Sequence, residues 1–185
     1  MGNVMVHGHL WRFRLALGLA FVFVAGCSSW QVIRQADPNP FSNTGSFAVA
    51  PVSFDGALVN GSSEDEWVGS KKKEAARWEA AKRRMDERYL TAMKRFVEGI
   101  SIDRDQQYEQ YIVVARVRYV KPGWPTGQTS ITITVQIRSL KEKDVVYDEI
   151  QINLASGGRK ARAVMGELGE DLGQTVARYL NSRVL

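Results

Sequence analysis

Thr129-Ser-Ile-Thr-Ile-Thr-Val-Gln-Ile-Arg-Ser-Leu140 alternates apolar and polar side chains without a break from Ile131 to Arg138. Successive side chains of a strand point to opposite faces. Ile131, Ile133, Val135 and Ile137 therefore share one face, and Thr132, Thr134, Gln136 and Arg138 the other. A strand dry on one side and wet on the other belongs to an antiparallel sheet covered by helices on a single face. The flanking text repeats the pattern. Tyr111 to Lys121 sets Val113, Ala115, Val117 and Tyr119 against Arg116 and Arg118. Asp144 to Leu154 sets Val146, Ile150, Ile152 and Leu154 against Glu149, Gln151 and Asn153. Lys141-Glu142-Lys143 is short enough to demand a hairpin, and the Pro/Gly-rich loop Lys121 to Gln128 joins the other pair. These three strands read as a meander.

The cover comes from two helical segments. Ser63 and Glu66 form a capping-box pair, and Glu64, Asp65 and Glu66 suit the positive end of a helix dipole. Trp78, Ala81, Met85, Tyr89, Met93 and Phe96 then recur at spacings of three and four, with Gly99 as the C-cap. A helix from Glu64 to Glu98 would be about 50 Å long, so one end is expected to project. In the last segment Ala161, Val164, Leu168, Leu172, Val176 and Leu180 form the second stripe. Upstream, Ser46 to Phe54 reads as a first strand that Pro51 ends, bulges or confines to an edge. The expected architecture is α/β: a two-layer sandwich, β-α-β-β-β-α, mainly antiparallel, with two helices on one face. It occupies 46–185 as a single domain.

The first 26 residues read differently. Arg12 and Arg14 precede an apolar run from Leu15 to Val24, and Ala25-Gly26 supplies small residues before Cys27. Those are the parts of a secretory signal, and the run is too short to span a bilayer. Val24-Ala25-Gly26-Cys27 resembles the lipobox of bacterial lipoproteins. That resemblance implies cleavage before Cys27, a diacylglyceryl thioether on its sulfur and acylation of the new amino end. Several acyl chains make a stable anchor where one would be marginal. Ser28 and Ser29 imply, by the same resemblance, sorting to the periplasmic face of the outer membrane. Residues 27–45, rich in Ser, Asn and Pro, are expected to be the lipidated tether.

Removing the signal leaves 159 of the 185 residues, with 23 basic against 20 acidic side chains. The charges of the long helical segment alternate in sign, which is the habit of a solvated face and not of a nucleic-acid footprint. His7 and His9 leave with the signal, and Cys27 is the chain's one cysteine. Without imidazole or free thiol, the mature chain has no route to Ser-His-Asp or Cys-His catalysis, to His- or Cys-based metal sites, or to a disulfide. No cofactor, no metal and no enzymatic activity are expected.

Several features invite a binding role. Gly166, Gly169 and Gly173 each weaken a helix by about 1 kcal/mol relative to Ala. Close approach inside the domain would offset that cost, and so would a partner helix seated on a glycine groove. Gly157, Gly158, Arg159, Lys160 and Arg162 open the last helix and offer a candidate anion site for lipid headgroups or cell-wall acids, against the reading of a solvated loop. Trp124 on its stiff loop and Trp67 near the helix start are candidate partner contacts, or fold back onto the domain. Asp103, Asp105 and Glu109 lack the rhythm of a calcium loop.

A tethered small α/β domain also resembles periplasmic accessory lipoproteins, such as those of lipopolysaccharide assembly, penicillin-binding-protein activation and curli secretion, though it carries no diagnostic motif of any. The expected function is that of a membrane-anchored accessory lipoprotein binding a protein partner in envelope assembly, transport or secretion. The alternative is a lipoprotein that binds anionic lipid or cell-wall polymer.

Overall fold

The strand that opened the sequence reading, β7 (Gln128–Ser139), lies between β6 (Tyr111–Lys121) and β8 (Val146–Gly157), antiparallel to both. The computed structural model describes residues 30–70, 75–105, 109–123, 127–142, 145–157 and 161–184. Ile131, Ile133, Val135 and Ile137 are buried as the alternation requires, beside Val113, Ala115 and Val117 of β6 and Ile150 and Ile152 of β8. The architecture is the α/β sandwich expected, with an open and mostly antiparallel sheet.

Two bulges correct the strand readings. The register shifts between Val117 and Tyr119, so Tyr119 pairs with Thr132 on the wet face and Val120 takes the inward position. A second shift sets Ile137 opposite Asp148 but Arg138 opposite Val146. Val146 therefore turns outward, while Asp148 keeps to the inward row of Ile150 and Ile152. A bulge inserts one residue and reverses the parity of all that follows, which alternation alone does not reveal.

The first strand also differs. β2 (Ser46–Val49) lies parallel to β6 and ends before Pro51, which has no N–H to donate. The chain keeps to β6 nonetheless: Ala50 N donates to the Val113 carbonyl at 2.9 Å and Ser53 N to that of Ala115 at 3.0 Å. β3 (Leu58–Val59) continues along β6 and turns into β4 (Ser62–Ser63) through Asn60-Gly61. Both turn residues have positive φ, 53° and 88°, the backbone that a tight two-residue hairpin demands. β5 (Ser101–Asp103) adds a parallel strand outside β2.

Residues 30–45, expected to belong to the tether, are part of the domain. β1 (Trp30–Arg34) pairs antiparallel with β8 and forms the sheet's edge. Farther on, Phe41 is fully buried, its ring 5.0 Å from that of Tyr111 and 5.8 Å from that of Phe47. The apolar surface offered by the end of the sheet outweighs the polar composition of the segment. The strand order is β1-β8-β7-β6-β2-β5.

The helical layer breaks where one rod was expected. The capping box forms: Glu66 N donates to Ser63 Oγ at 3.3 Å, and Ser63 N to Glu66 Oε2 at 3.2 Å. It starts α1 (Glu64–Ser70), which is distinct from α2 (Ala75–Phe96). Trp78 Nε1 donates to Glu64 Oε1 at 2.8 Å. In one continuous helix those residues would stand about 21 Å apart. α1 thus folds back on the first turns of α2, and no 50 Å helix projects.

α3 (Ala161–Val184) packs along α2 in the same direction. A Cβ on Gly169 would meet the Met85 backbone, 2.9 Å from its Cα, and one on Gly173 would lie 2.7 Å from the Ala92 Cβ. At the far end Asn181 Nδ2 donates to the Phe96 carbonyl at 3.0 Å. The glycines are there so that two backbones can touch. The groove of Gly166, Gly169 and Gly173 is filled by α2 of the same chain, which displaces the partner-helix reading.

Candidate functional site

Asp148 is the residue that sequence reasoning missed, although it stands in phase with Ile150, Ile152 and Leu154. It is 1% exposed and accepts from four donors. Arg183 Nε lies 2.8 Å from Oδ2, Tyr179 Oη 2.7 Å from the same oxygen, and Ala36 N 2.8 Å from Oδ1; Arg183 Nη2 is 3.5 Å from Oδ1. The guanidinium also donates to the Ala36 carbonyl at 2.9 Å and lies 5.6 Å from the centre of the Phe41 ring. Asn39 Nδ2 closes the loop on the Arg183 carbonyl at 2.5 Å. A buried carboxylate is tolerated only when its lone pairs are satisfied, and here they are. The result is a clasp that fastens residues 34–41 to β8 and the last turn of α3. Burial, then the hydrogen bond to Asp148 and its charge, push the Tyr179 hydroxyl well above the ordinary tyrosine range.

The second feature is the sheet face opposite the helices. Its cross-strand rows are mainly polar and internally bonded, with Ile112 and Val114 of β6 opposite Arg138 and Gln136. Arg118 Nε donates to Thr134 Oγ1 at 3.2 Å, Arg138 Nε to Gln136 Oε1 at 2.9 Å, Gln136 Nε2 to Glu149 Oε2 at 2.6 Å, and Thr132 Oγ1 to Asn153 Oδ1 at 2.8 Å. Arg34 pairs with Glu149 in register. Among the described residues of these four strands, Arg34, Arg116, Arg118, Lys121 and Arg138 lie on this face against the single carboxylate of Glu149. Arg116 Nε is buried with no acceptor among the described residues. Each guanidinium has five N–H donors, and the internal bonds use only some of them.

The remaining expected sites divide. Trp67 packs edge-on against Trp78, ring centres 5.2 Å apart, so it folds back onto the domain instead of standing free. Gly157 is the last residue of β8 and Arg162 lies in the first turn of α3. Cys27, Trp124, Gly158, Arg159 and Lys160 lie outside the described residues. The acids of the 103–109 stretch go to separate partners: Asp103 lies 3.8 Å from Lys94 Nζ, and Glu109 accepts from Ser46 Oγ. Near Ser46 a cleft of about 320 Å³ opens between Pro40, Thr44, Glu109 and Tyr111. It is lined mainly by backbone and small polar groups.

No family model matches the chain, and no curated protein matches it. Among solved structures the chain is similar to the PelC dodecamer from Paraburkholderia phytofirmans, at 10% identity and a TM-score of 0.44, over 80% of this chain and 97% of that one. It is similar also to a protein from Xanthomonas campestris of the DUF330 family, at 10% identity and a TM-score of 0.44, over 83% of this chain and 97% of that one.

Proposed function

We propose that the protein is a lipid-anchored accessory protein of the bacterial envelope, held by Cys27 at the periplasmic face of the outer membrane, and that it binds a protein partner in envelope assembly, transport or secretion. The observation that carries this reading is the position of the chain's one cysteine, at the end of Val24-Ala25-Gly26-Cys27 and three residues before β1. A mature chain with no imidazole and an alkylated thiol lacks the side chains of Ser-His-Asp and Cys-His acyl transfer, which favours a binding role. The broad, mainly polar sheet face, over which no helix lies among the described residues, supports an interaction role.

Mass spectrometry of the native protein tests the anchor. The expected amino terminus is Cys27 bearing a thioether-linked diacylglycerol and an amide-linked acyl chain. A native polypeptide that begins elsewhere, or carries an unmodified Cys27, overturns the reading. Crosslinking in intact envelopes tests the partner: one protein captured in stoichiometric amount is the expected result, and glycan or lipid alone would replace it with the polymer- or lipid-binding alternative. Cys27→Ala should leave the domain folded and release it from membranes in high salt.

A further inference from the structure

Val32, Ile33, Leu58 and Tyr119 are the large apolar side chains most exposed among the described residues, at 45%, 52%, 46% and 37%. Their positions are related. Tyr119 sits on the outer sheet face with Leu58 registered beside it, whereas on the edge strand β1 Val32 is registered with the inward Ile150, Arg34 with the outward Glu149, and Ile33 is the bulged residue between them. Between Tyr119 with Leu58 and the β1 edge lie Arg34, Arg116, Arg118, Lys121 and Arg138. Among the described residues of these strands Glu149 is the one carboxylate on the face, and Asp55 stands beside it, bonded to the Ser53 that bridges to Arg116. Arg116 keeps a buried donor with no acceptor among the described residues. The face is thus cationic in the middle and apolar at the margin formed by Leu58 and Tyr119.

The chain's own geometry says what can cover it. Two residues, Ser28 and Ser29, separate Cys27 from Trp30, and the three backbone steps span no more than about 11 Å at full extension. The four strands from β1 to β6 are about 14 Å across. A domain held by so short a lead cannot turn freely above the membrane, so one of its surfaces is kept in contact with lipid at high effective concentration. Of the surfaces near β1, the outer face is the one with matching chemistry. Leu58 and Tyr119 at its border can enter the headgroup boundary while guanidinium and ammonium groups meet anionic phosphates.

We infer that the outer face of the sheet lies on the anionic bilayer surface that carries the anchor. The helical layer then points away from the membrane, and the side that α2 and α3 show to solvent is left open to a protein partner. This inference rests on Cys27 being lipidated. It moves the anionic-lipid contact from the segment around Arg159 to the sheet.

The test uses the full lipidated protein in vesicles of phosphatidylethanolamine containing about one quarter phosphatidylglycerol. With Cys27 alkylated, a single new cysteine can be labelled. A fluorophore on Tyr119→Cys, the border distant from the anchor, is compared with one on Glu87→Cys, on the exposed side of α2. Spin-labelled lipid carrying its nitroxide near the headgroup should quench the first at least about threefold more than the second. High salt, or the double variant Arg116→Gln/Arg118→Gln, should narrow that difference while circular dichroism stays unchanged. Equal, weak quenching at both positions overturns the inference. So does a Tyr119→Cys label that stays unquenched in vesicles yet crosslinks to an acidic protein in native envelopes, which would give the face to a protein. Mass spectrometry of the same sample separates the two readings: an unacylated Cys27 removes the anchor, whereas an acylated Cys27 with unquenched label removes only the orientation.

Discussion

Arg183 Nε lies 2.8 Å from Asp148 Oδ2, joining the last turn of α3 to the inward row of β8. Both side chains are nearly closed to water, 10% and 1% exposed. Removing one partner of a buried pair leaves the other uncompensated, at a cost of about 3–5 kcal/mol. Asp148→Ala is therefore expected to lower stability by that order in urea titration. It should also speed amide exchange in residues 30–41 more than in β6 and β7. Asp148→Asn, which keeps one acceptor oxygen for Ala36 N and can donate its amide to the Tyr179 hydroxyl, should lose less. Uniform exchange acceleration across the sheet would contradict a local clasp.

The glycines of α3 differ in what a methyl group would strike. At Gly169 it meets the Met85 backbone, which cannot move aside, whereas at Gly166 it meets the Cγ of Arg84 at 3.2 Å, part of a flexible side chain. Gly169→Ala is expected to cost about 3 kcal/mol through overpacking. Gly166→Ala should fall within about 1 kcal/mol of the parent, because helix propensity offsets the crowding. Equal effects at both positions would refute close backbone approach as the reason for Gly169.

Tyr89 is fully buried, and its hydroxyl has no hydrogen-bond partner among the described residues. Burial raises its pKa well above the ordinary value, with the Asp86 charge adding and the Arg104 charge opposing. Tyr179 is raised in the same direction, by burial first and then by Asp148. A folded state that keeps protons the unfolded chain releases has its full stability below pH about 10 and loses it as pH rises further. Thermal unfolding followed from neutral to strongly alkaline pH should show that decline. Tyr89→Phe should make it shallower and leave stability at neutral pH unchanged or slightly higher, since no bond is lost.

Glu64 accepts from Trp78 Nε1 and lies 2.5 Å from Lys82 Nζ, holding α1 against α2. Burial pulls the Lys82 pKa down, but the hydrogen bonds and charges of Glu64 and Glu79 outweigh it and leave the ammonium above its usual value. Glu64→Ala should free α1, shift tryptophan emission to the red and open the chain near residue 64 to proteolysis. The loss in global stability should be only about 1–2 kcal/mol. Unchanged emission and unchanged cleavage would show that the Trp67–Trp78 contact alone suffices.

The legible parts of this fold were those written in period two or period four within one element. The meander of β6, β7 and β8, the capping box at Ser63 and the apolar stripes of α2 and α3 belong there. The illegible parts needed information from outside the element. Tyr119 and Val146 turned outward because bulges reverse parity. Trp30 to Arg34 became a strand because β8 offered an open edge. The hairpin at Asn60-Gly61 carries a local signal of its own, an Asn-Gly pair between Val59 and Ser62.

The sites followed the same division. Asp148 could have been noticed as a carboxylate in an apolar row, but its acceptors' partners, Ala36, Tyr179 and Arg183, come from both ends of the described chain. What the sequence by itself determined was the sandwich class and the wet and dry faces of the sheet, because these depend on residue identity and short-range periodicity. Where the first strand sits, why α3 is rich in glycine, and that cations and apolar side chains share one open face were decided only by the tertiary structure. Those are relations between residues far apart in sequence, and packing alone brings them together.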